Sequence, residues 1–554
     1  MGTKKWIWVA LLVLTLLSWF VVDYLTLPAY NLQSFGFWFL LALYFGLVAF
    51  FVGMLLSLRR APLVAVVGAL LILLVAICAS ATSWLVWPGN ADRYFAQLPS
   101  ADRDAAQFVK DFPDEAGAGA GSQDMILPRT DKQLSTAIAQ GKLGSFGARF
   151  RMDLDIFTAM TVRRGGGTEI IRATPLDYTG FLVALTGGSK GTAGYIEVNQ
   201  ETEEGRLVTV EGGMRYTPGA ILGWDLDRHV RFAFRGRLLG PKSFEIDDSG
   251  RPYWVVPVIV NRVGLFGGAD SNGIILADPT SGETKYYAPG QEPSWVDRSV
   301  PTEIVTAQAN NRLRLGHGWI NAILGEKRDV FQLSDSYNYV VSSDADGAHT
   351  WMVSGITSPS ESDQSLAGFL MVNMRTKEAR RYGLAGITEM RAMEIAQSDE
   401  RVRAQTLEAT WPILVDLGGE PVYYLFLKNA VQRQRFVYID LATGQKVAMG
   451  ETLDAAKAQF LRLVGAGAAS RGGAAADIRD AKGQVLRVKD APEEGGILFL
   501  LAGEPETVYV ASPELSNGVR FLAPGDRVEL RYSEVPSSPG RRFVTSLVNR
   551  SIGQ

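Results

Sequence analysis

Three long apolar runs crowd the N-terminal end of the chain, and no other feature constrains its fold as strongly. Trp6 to Leu27 carries one charge, Asp23, while Phe35 to Leu58 and Pro62 to Trp87 carry none. Each run is long enough to cross a hydrocarbon core of about 30 Å at about 1.5 Å per residue. In lipid such a segment must be helical, because a helix satisfies its own backbone hydrogen bonds. Three buried core helices would not follow one another through loops this short. No small-residue cleavage pattern follows the first run and two more runs come directly after it, so a span is expected there and not a cleaved leader. Residues 1–89 therefore read as three transmembrane helices.

The flanking charges orient them. Lys4 and Lys5 precede the first run and Arg59 and Arg60 separate the second from the third, whereas the loop from Pro28 to Ser34 is uncharged. The positive-inside rule puts the N-terminus and the Arg59–Arg60 turn in the cytoplasm, and residues 90–554 outside the cell or plasma membrane. Trp6, Trp19, Tyr24, Trp38, Trp84 and Trp87 cluster near the run ends, as headgroup-level aromatics do. Asp23, at the outer end of its run, reads as an interfacial residue and not as a proton relay.

Behind the anchor the composition becomes that of an ordinary globular protein. The 554 residues leave room for about two to four domains besides the membrane module. With 55 Lys and Arg against 58 Asp and Glu, a net charge of −3, there is no overall field to recruit nucleic acid. The single cysteine, Cys78, lies inside the third run, so the soluble part has neither a disulfide nor a thiolate.

Residues 90–124 read as an amphipathic helix, Ala101 to Phe112, and a Gly/Ala linker, Ala116 to Ser122. From about Met125 short β-type runs alternate with Gly, Pro, Asn and Asp clusters. A hairpin motif recurs four times across 125–464: Gly194 to Asn199 before Thr202, Gly273 to Asp278 before Thr280, Gly368 to Asn373 before Thr376, and Phe436 to Asp440 before Thr443. The terminal Asp or Asn can bond the turn backbone, and Gly282 and Gly444 supply a positive φ in the second and fourth copies. Ile170 to Leu176, Tyr253 to Val260, Thr350 to Ile356 and Val422 to Leu427 are the expected partner strands. The spacing is too irregular for a solenoid and suits tandem α+β units with different insertions.

The strand, turn and strand, followed after the last copy by Glu451-Thr-Leu-Asp-Ala-Ala-Lys-Ala-Gln-Phe460, resembles the PepSY module of secreted and membrane-tethered bacterial proteins. That resemblance implies a helix packed on a small antiparallel sheet. The first and third copies lack the Thr-Gly pair. The stretch holding Ile246-Asp-Asp-Ser-Gly-Arg-Pro-Tyr-Trp254, Val263-Gly-Leu-Phe-Gly-Gly268 and Ser294-Trp-Val-Asp297 is similar to a family of large bacterial membrane proteins; the similarity implies architecture and no activity.

Residues 465–476 form a second Gly/Ala-rich linker, and 477–554 a separate module. Val485 to Val488, Ile497 to Leu501, Val508 to Ala511, Phe521 to Tyr532 and Phe543 to Val548 read as five strands of a small OB-like or SH3-like barrel, with Ala523-Pro-Gly-Asp526 a turn inside the fourth. Such barrels bind single-stranded nucleic acid through a basic groove with stacking aromatics, but acids and bases here are about even in number, which disfavours that use.

Common chemistries find little support. Gly187-Gly-Ser-Lys-Gly191 matches a nucleophile elbow in spelling only, since the elbow joins a strand to a helix and Phe181 to Leu185 reads as a strand leading to another strand. An envelope hydrolase would have to assemble Ser189 with distant groups such as His229 and Asp247, and a transporter accessory subunit would need more polar spans. His229, His317 and His349 stand too far apart for zinc-ligand spacing. The Asp344 to Gly347 stretch lacks the glycine and glutamate of a calcium loop. No catalytic, cofactor or metal residue is assigned. The aromatics from Tyr253 to Tyr424 read mainly as sheet core. The expectation is a membrane-anchored, extracytoplasmic interaction or scaffold protein of the bacterial envelope, without a cofactor, binding a protein partner or a second copy of itself, through an exposed sheet edge for instance.

Overall fold

The structure, a computed structural model, describes residues 2–112, 124–344, 347–359, 365–429, 433–470, 479–491, 496–511, 513, 515–534 and 541–552. Three helices open it: α1 (Gly2–Thr26), α2 (Phe35–Leu55) and α3 (Ala61–Ala81). All are long and apolar enough to cross a membrane. Ser34 caps α2 by accepting from the Phe37 amide, and Pro62 sits in the first turn of α3, where its missing N–H costs nothing. Small residues let the spans approach closely: a Cβ on Gly53 would lie 2.2 Å from that of Ala61, and one on Gly68 would lie 2.3 Å from the Phe45 ring. The third span is shorter than its apolar run. Asn90 Nδ2 donates to the carbonyls of Thr82 and Trp84, folding 82–89 into turns beyond the helix end.

The β-rich part is built from one arrangement used four times. Each unit begins with a helix, continues through a first strand broken in two, and ends in a meander of three more antiparallel strands. The four long second strands are Gly167–Tyr178, Pro252–Val263, Gly347–Thr357 and Glu420–Lys428, the last pairing over seven positions with Arg433–Asp440. Their leading helices are Lys132–Leu143, Leu226–Ala233, Thr302–Arg314 and Glu389–Ser398.

The turn after the third strand explains why sequence could detect the copies. Oδ1 of Asn199, Asp278 and Asn373 each accepts two amides, two and three residues on, and the Asp440 carboxylate accepts the amide and hydroxyl of Thr443. The residue that closes each turn has a positive φ: Glu203 at 63°, Gly282 at 80°, Lys377 at 63° and Gly444 at 69°. The copies without glycine thus make the same turn under strain.

The units pack in pairs. Met160, Ile171 and Tyr195 of the first share a core with Phe244, Trp254 and Ile275 of the second. Trp351, Phe369 and Tyr382 of the third share one with Tyr423, Val437 and Phe460 around the fourth. The third sheet has both edges occupied: Ser100–Arg103 runs parallel to Ala379–Tyr382, and Asp124–Ile126 pairs beyond Asn338–Asp344.

Several local expectations are corrected. Ala101 to Phe112 is not one helix, because its first residues are captured as that parallel edge strand and only Ala105–Asp111 is helical, capped by Asp104 and Gln107. Phe181–Gly187 is a helix, not a strand; five consecutive apolar residues carry no period to distinguish the two. The helix Leu453–Ser470 runs into the expected second linker, and residues 471–476 and the first linker lie outside the described residues.

The C-terminal module is a closed five-stranded barrel of Arg479–Ala491, Gly496–Leu501, Glu504–Ala511, Arg527–Glu534 and Arg541–Asn549. The third and fifth strands close it in parallel, and a short helix, Asn517–Arg520, precedes the fourth. The turn expected at Ala523 to Asp526 is present, the Ala523 amide donating to Asp526, but the fourth strand begins only after it, at Arg527, and not at Phe521.

The second unit holds the β-rich part against the spans. Asp23 accepts from Tyr30 Oη at 2.6 Å and pairs with Arg235 at 2.7 Å. Gln33 Nε2 donates to the Asn261 carbonyl, and the Asn261 amide donates back to Gln33 Oε1. Ser83 Oγ, just past α3, accepts from the Phe266 amide. These contacts join the end of α1, the loop before α2 and the end of α3, three points on one side of the bundle. Asp23 is a structural clasp at the end of its span.

Candidate functional site

The four units meet around a cavity of about 680 Å³. The first contributes Thr158, Ala159 and Arg172, the second Lys242 and Pro257, the third Tyr337 and Tyr339, and the fourth Trp411, Tyr424 and Lys428. The segment joining the second and third units adds Arg298, and Thr302 opens the leading helix of the third. The volume suits a small organic molecule or a few residues of a peptide.

Arg172 reaches this space because of strand alternation. Ile171 and Ala173 turn into the core shared with the second unit, so Arg172 points from the opposite face, beside Ile170. Its Nη1 donates to the Phe157 carbonyl at 3.2 Å. Arg298 Nη2 donates to the Ala159 carbonyl at 2.8 Å, so one short segment holds both guanidinium groups side by side. Arg298 also lies 4.1 Å over the Tyr339 ring, whose hydroxyl bonds Thr302 Oγ1.

A buried carboxylate pair fixes Arg298 in place. The Asp297 amide donates to Glu245 Oε2 at 2.8 Å, while the Asp297 carboxylate accepts the Thr161 amide at 2.5 Å and the Thr161 hydroxyl at 2.8 Å. Burial, then the Asp297 charge, pushes Glu245 up to about 8, so at neutral pH it keeps its proton. Burial likewise raises Asp297.

The guanidinium groups themselves are under-compensated. Among the described residues neither makes an ion pair, and Nε of each is buried without a hydrogen-bond acceptor. Asp131, the acid that most offsets Arg172, is bonded to Lys428. Asp297 offsets Arg298 through space. Asp155, Glu303 and Glu408 line the cavity without pairing with either arginine. Burial, reinforced by the like charge of Arg298, lowers Arg172 to about 10, and it remains a cation at neutral pH. Two fixed guanidinium groups lining a roomy space can hold an anion.

The residues singled out by sequence do not meet there. Ser189 follows the helix Phe181–Gly187 and precedes the strand Thr192–Asn199, the reverse of the elbow order. His229 Nε2 is bonded to the Gly282 carbonyl, and Asp247 accepts from Ser249 and Arg251 amides in its hairpin turn. His317 bonds Asp329, and His349 lies beside Asn373 and Arg375. Asp344 and Gly347 pair at a hairpin end whose tip, 345–346, lies outside the described residues. Of the aromatics, Trp254, Trp351 and Tyr423 are fully buried in the cores, whereas Tyr337, Tyr339, Trp411 and the buried Tyr424 border the cavity.

Arg172 and Arg298 were missed by sequence reasoning. An arginine directly flanked by the apolar strand residues Ile170, Ile171 and Ala173 is the one local signal that marks the first. No family model, curated protein or solved structure matches the chain.

Proposed function

We propose that this protein is a membrane-anchored, non-enzymatic binding protein of the bacterial envelope, with its β-rich part on the extracytoplasmic side. Lys4, Lys5, Arg59 and Arg60 stand at the opposite end of the bundle from the clasp around Asp23, and the positive-inside rule assigns that basic end to the cytoplasm. The recurring helix-and-meander unit is PepSY-like in its helix and sheet, and the fourth copy carries the Asp-x-x-Thr-Gly turn. The barrel is OB-like, on the strength of its parallel closure between third and fifth strands and the helix before the fourth.

One observation carries the binding reading: all four units line a single cavity bordered by Tyr337, Tyr339 and Trp411. Separate scaffold modules would have no reason to converge on a shared space of this size. The species received there is a partner's side chain, a peptide segment or a small molecule, and the anchor keeps it at the membrane. Tyr337 is partly exposed, so its truncation leaves the cores intact. Native mass spectrometry of the protein extracted from its own membranes is expected to find a bound species that is lost from the Tyr337→Ala variant. An unchanged set of co-purifying species in wild type and variant contradicts the reading.

A further inference from the structure

We infer that the cavity takes a ligand bearing an oxyanion, carboxylate or phosphate, on an apolar or aromatic body. This rests on the binding reading above and adds the ligand class. Two guanidinium groups are held by the neighbouring carbonyls of Phe157 and Ala159, and like charges are not kept together without compensation. Each guanidinium lines the cavity and, among the described residues, makes a single hydrogen bond, to a backbone carbonyl; of the lysines in the lining, Lys428 is engaged with Asp131 and Lys242 with Asp227, while Lys132 adds a further positive charge. Planar forks of this kind match carboxylate and phosphate oxygens in pairs of hydrogen bonds. The space beyond them is far larger than a bare anion, and Tyr337, Tyr339 and Trp411 offer flat surfaces to the rest of the molecule.

The full-length protein in lipid nanodiscs is titrated with phenyl phosphate, benzoate and neutral benzyl alcohol at constant ionic strength, with Tm as readout. Saturable stabilisation by one or both anions and none by the alcohol is expected; which anion binds more tightly separates phosphate from carboxylate. Arg172→Gln removes an uncompensated charge, so it should fold with an unchanged or higher Tm and bind the anion at least tenfold more weakly. Arg172→Lys keeps the charge but loses the fork and should also weaken binding. Equal stabilisation by the alcohol, with anion binding untouched in both variants, overturns the anion assignment and leaves the cavity reading standing. No response to any probe, together with co-purification indifferent to Tyr337→Ala, overturns both.

A second observation concerns the surface beside the spans. Phe181, Leu182 and Leu185 project from their helix at 66%, 72% and 53% exposure, and Leu222 stands nearby in the segment before Arg228. The Leu222 carbonyl accepts from Arg228, which donates to the Tyr24 carbonyl and lies 4.2 Å over the Tyr24 ring, in the last turns of α1. Elsewhere Ile320 and Leu324 are 61% and 75% exposed at a helix, Gly318–Ile323, whose buried face packs with Leu85, Tyr94 and Phe95 just past α3. Both apolar protrusions thus adjoin the ends of membrane-length helices, on the side where the β-rich part docks. We propose that both dip into the lipid leaflet in which α1 and α3 end, as interfacial amphipathic helices do.

Leu182→Cys and Leu324→Cys, each made in a Cys78→Ser background, are labelled with an environment-sensitive fluorophore in nanodiscs carrying doxyl-labelled lipid. Quenching at both positions but not at Ser249→Cys, on an exposed turn, is the expected result. Quenching no stronger at 182 and 324 than at 249 overturns the proposal.

Discussion

Glu203 and Lys377 close the first and third repeat turns with φ near +63°, a conformation that costs a side-chain-bearing residue about 1–2 kcal/mol. Glu203→Gly should therefore raise stability by up to about 1 kcal/mol in denaturant melts, glycine's greater chain entropy consuming part of the gain. Gly444→Ala should do the reverse, losing about 1–2 kcal/mol, since its φ is 69° and its Cβ would meet Ile395 Cδ1 at 2.6 Å. A second prediction concerns protons. The folded state raises Glu245 to about 8 from an ordinary value near 4.3, so the native protein holds a proton that the unfolded chain releases between those values. Stability from this group is full below about pH 4, falls as pH rises through that window and levels off above about pH 8. Glu245→Gln should flatten that part of the Tm-against-pH curve; an unaltered slope contradicts the assignment. At this scale the turns were legible, because an Asn or Asp followed two or three residues later by Thr suits a side-chain-capped tight turn. The cavity was not: Arg172 lies in the first unit and Arg298 in the segment joining the second and third, and the two are brought together by carbonyls of the first unit, Phe157 and Ala159.

Among elements, the apolar runs and the four hairpins were legible because each satisfies itself locally, by helix or by turn. Elements defined by distant partners were misread. Ser100–Arg103 is a strand only because Ala379–Tyr382 offers a parallel edge, and Phe181–Gly187 is a helix although its composition suits a strand equally. The clasp between anchor and second unit is a further contact that no local pattern announces, and its energetics are testable. Asp23→Asn keeps a hydrogen-bond acceptor for Tyr30 but loses the charge opposite Arg235. Because Arg235 is 40% exposed, the loss is on the order of 1 kcal/mol after allowance for screening. Hydrogen exchange should quicken in 28–34 and 235–237 with little change in global Tm. Equal protection in variant and wild type argues against the clasp.

For the whole molecule, three membrane-length helices and a set of paired α+β units are joined at one side of the bundle, with a barrel packed on the fourth unit through Val510 and Phe543. The sequence implied anchor, repeats and barrel, but not that the repeats close around a common space, because cavities arise from packing between units whose lengths and insertions differ. That arrangement places the cavity in a body whose second unit is pinned to the spans, so the side of the membrane on which the β-rich part lies decides what it can bind. The most direct test uses impermeant thiol labelling of intact spheroplasts in a Cys78→Ser background, with a single cysteine introduced as Ser57→Cys in the turn after α2 or as Ser249→Cys in the second unit. Both sites are exposed in the structure. The account predicts labelling of position 249 in intact spheroplasts and of position 57 only after permeabilisation. Labelling of both from the same side, or of position 57 alone from outside, would contradict it.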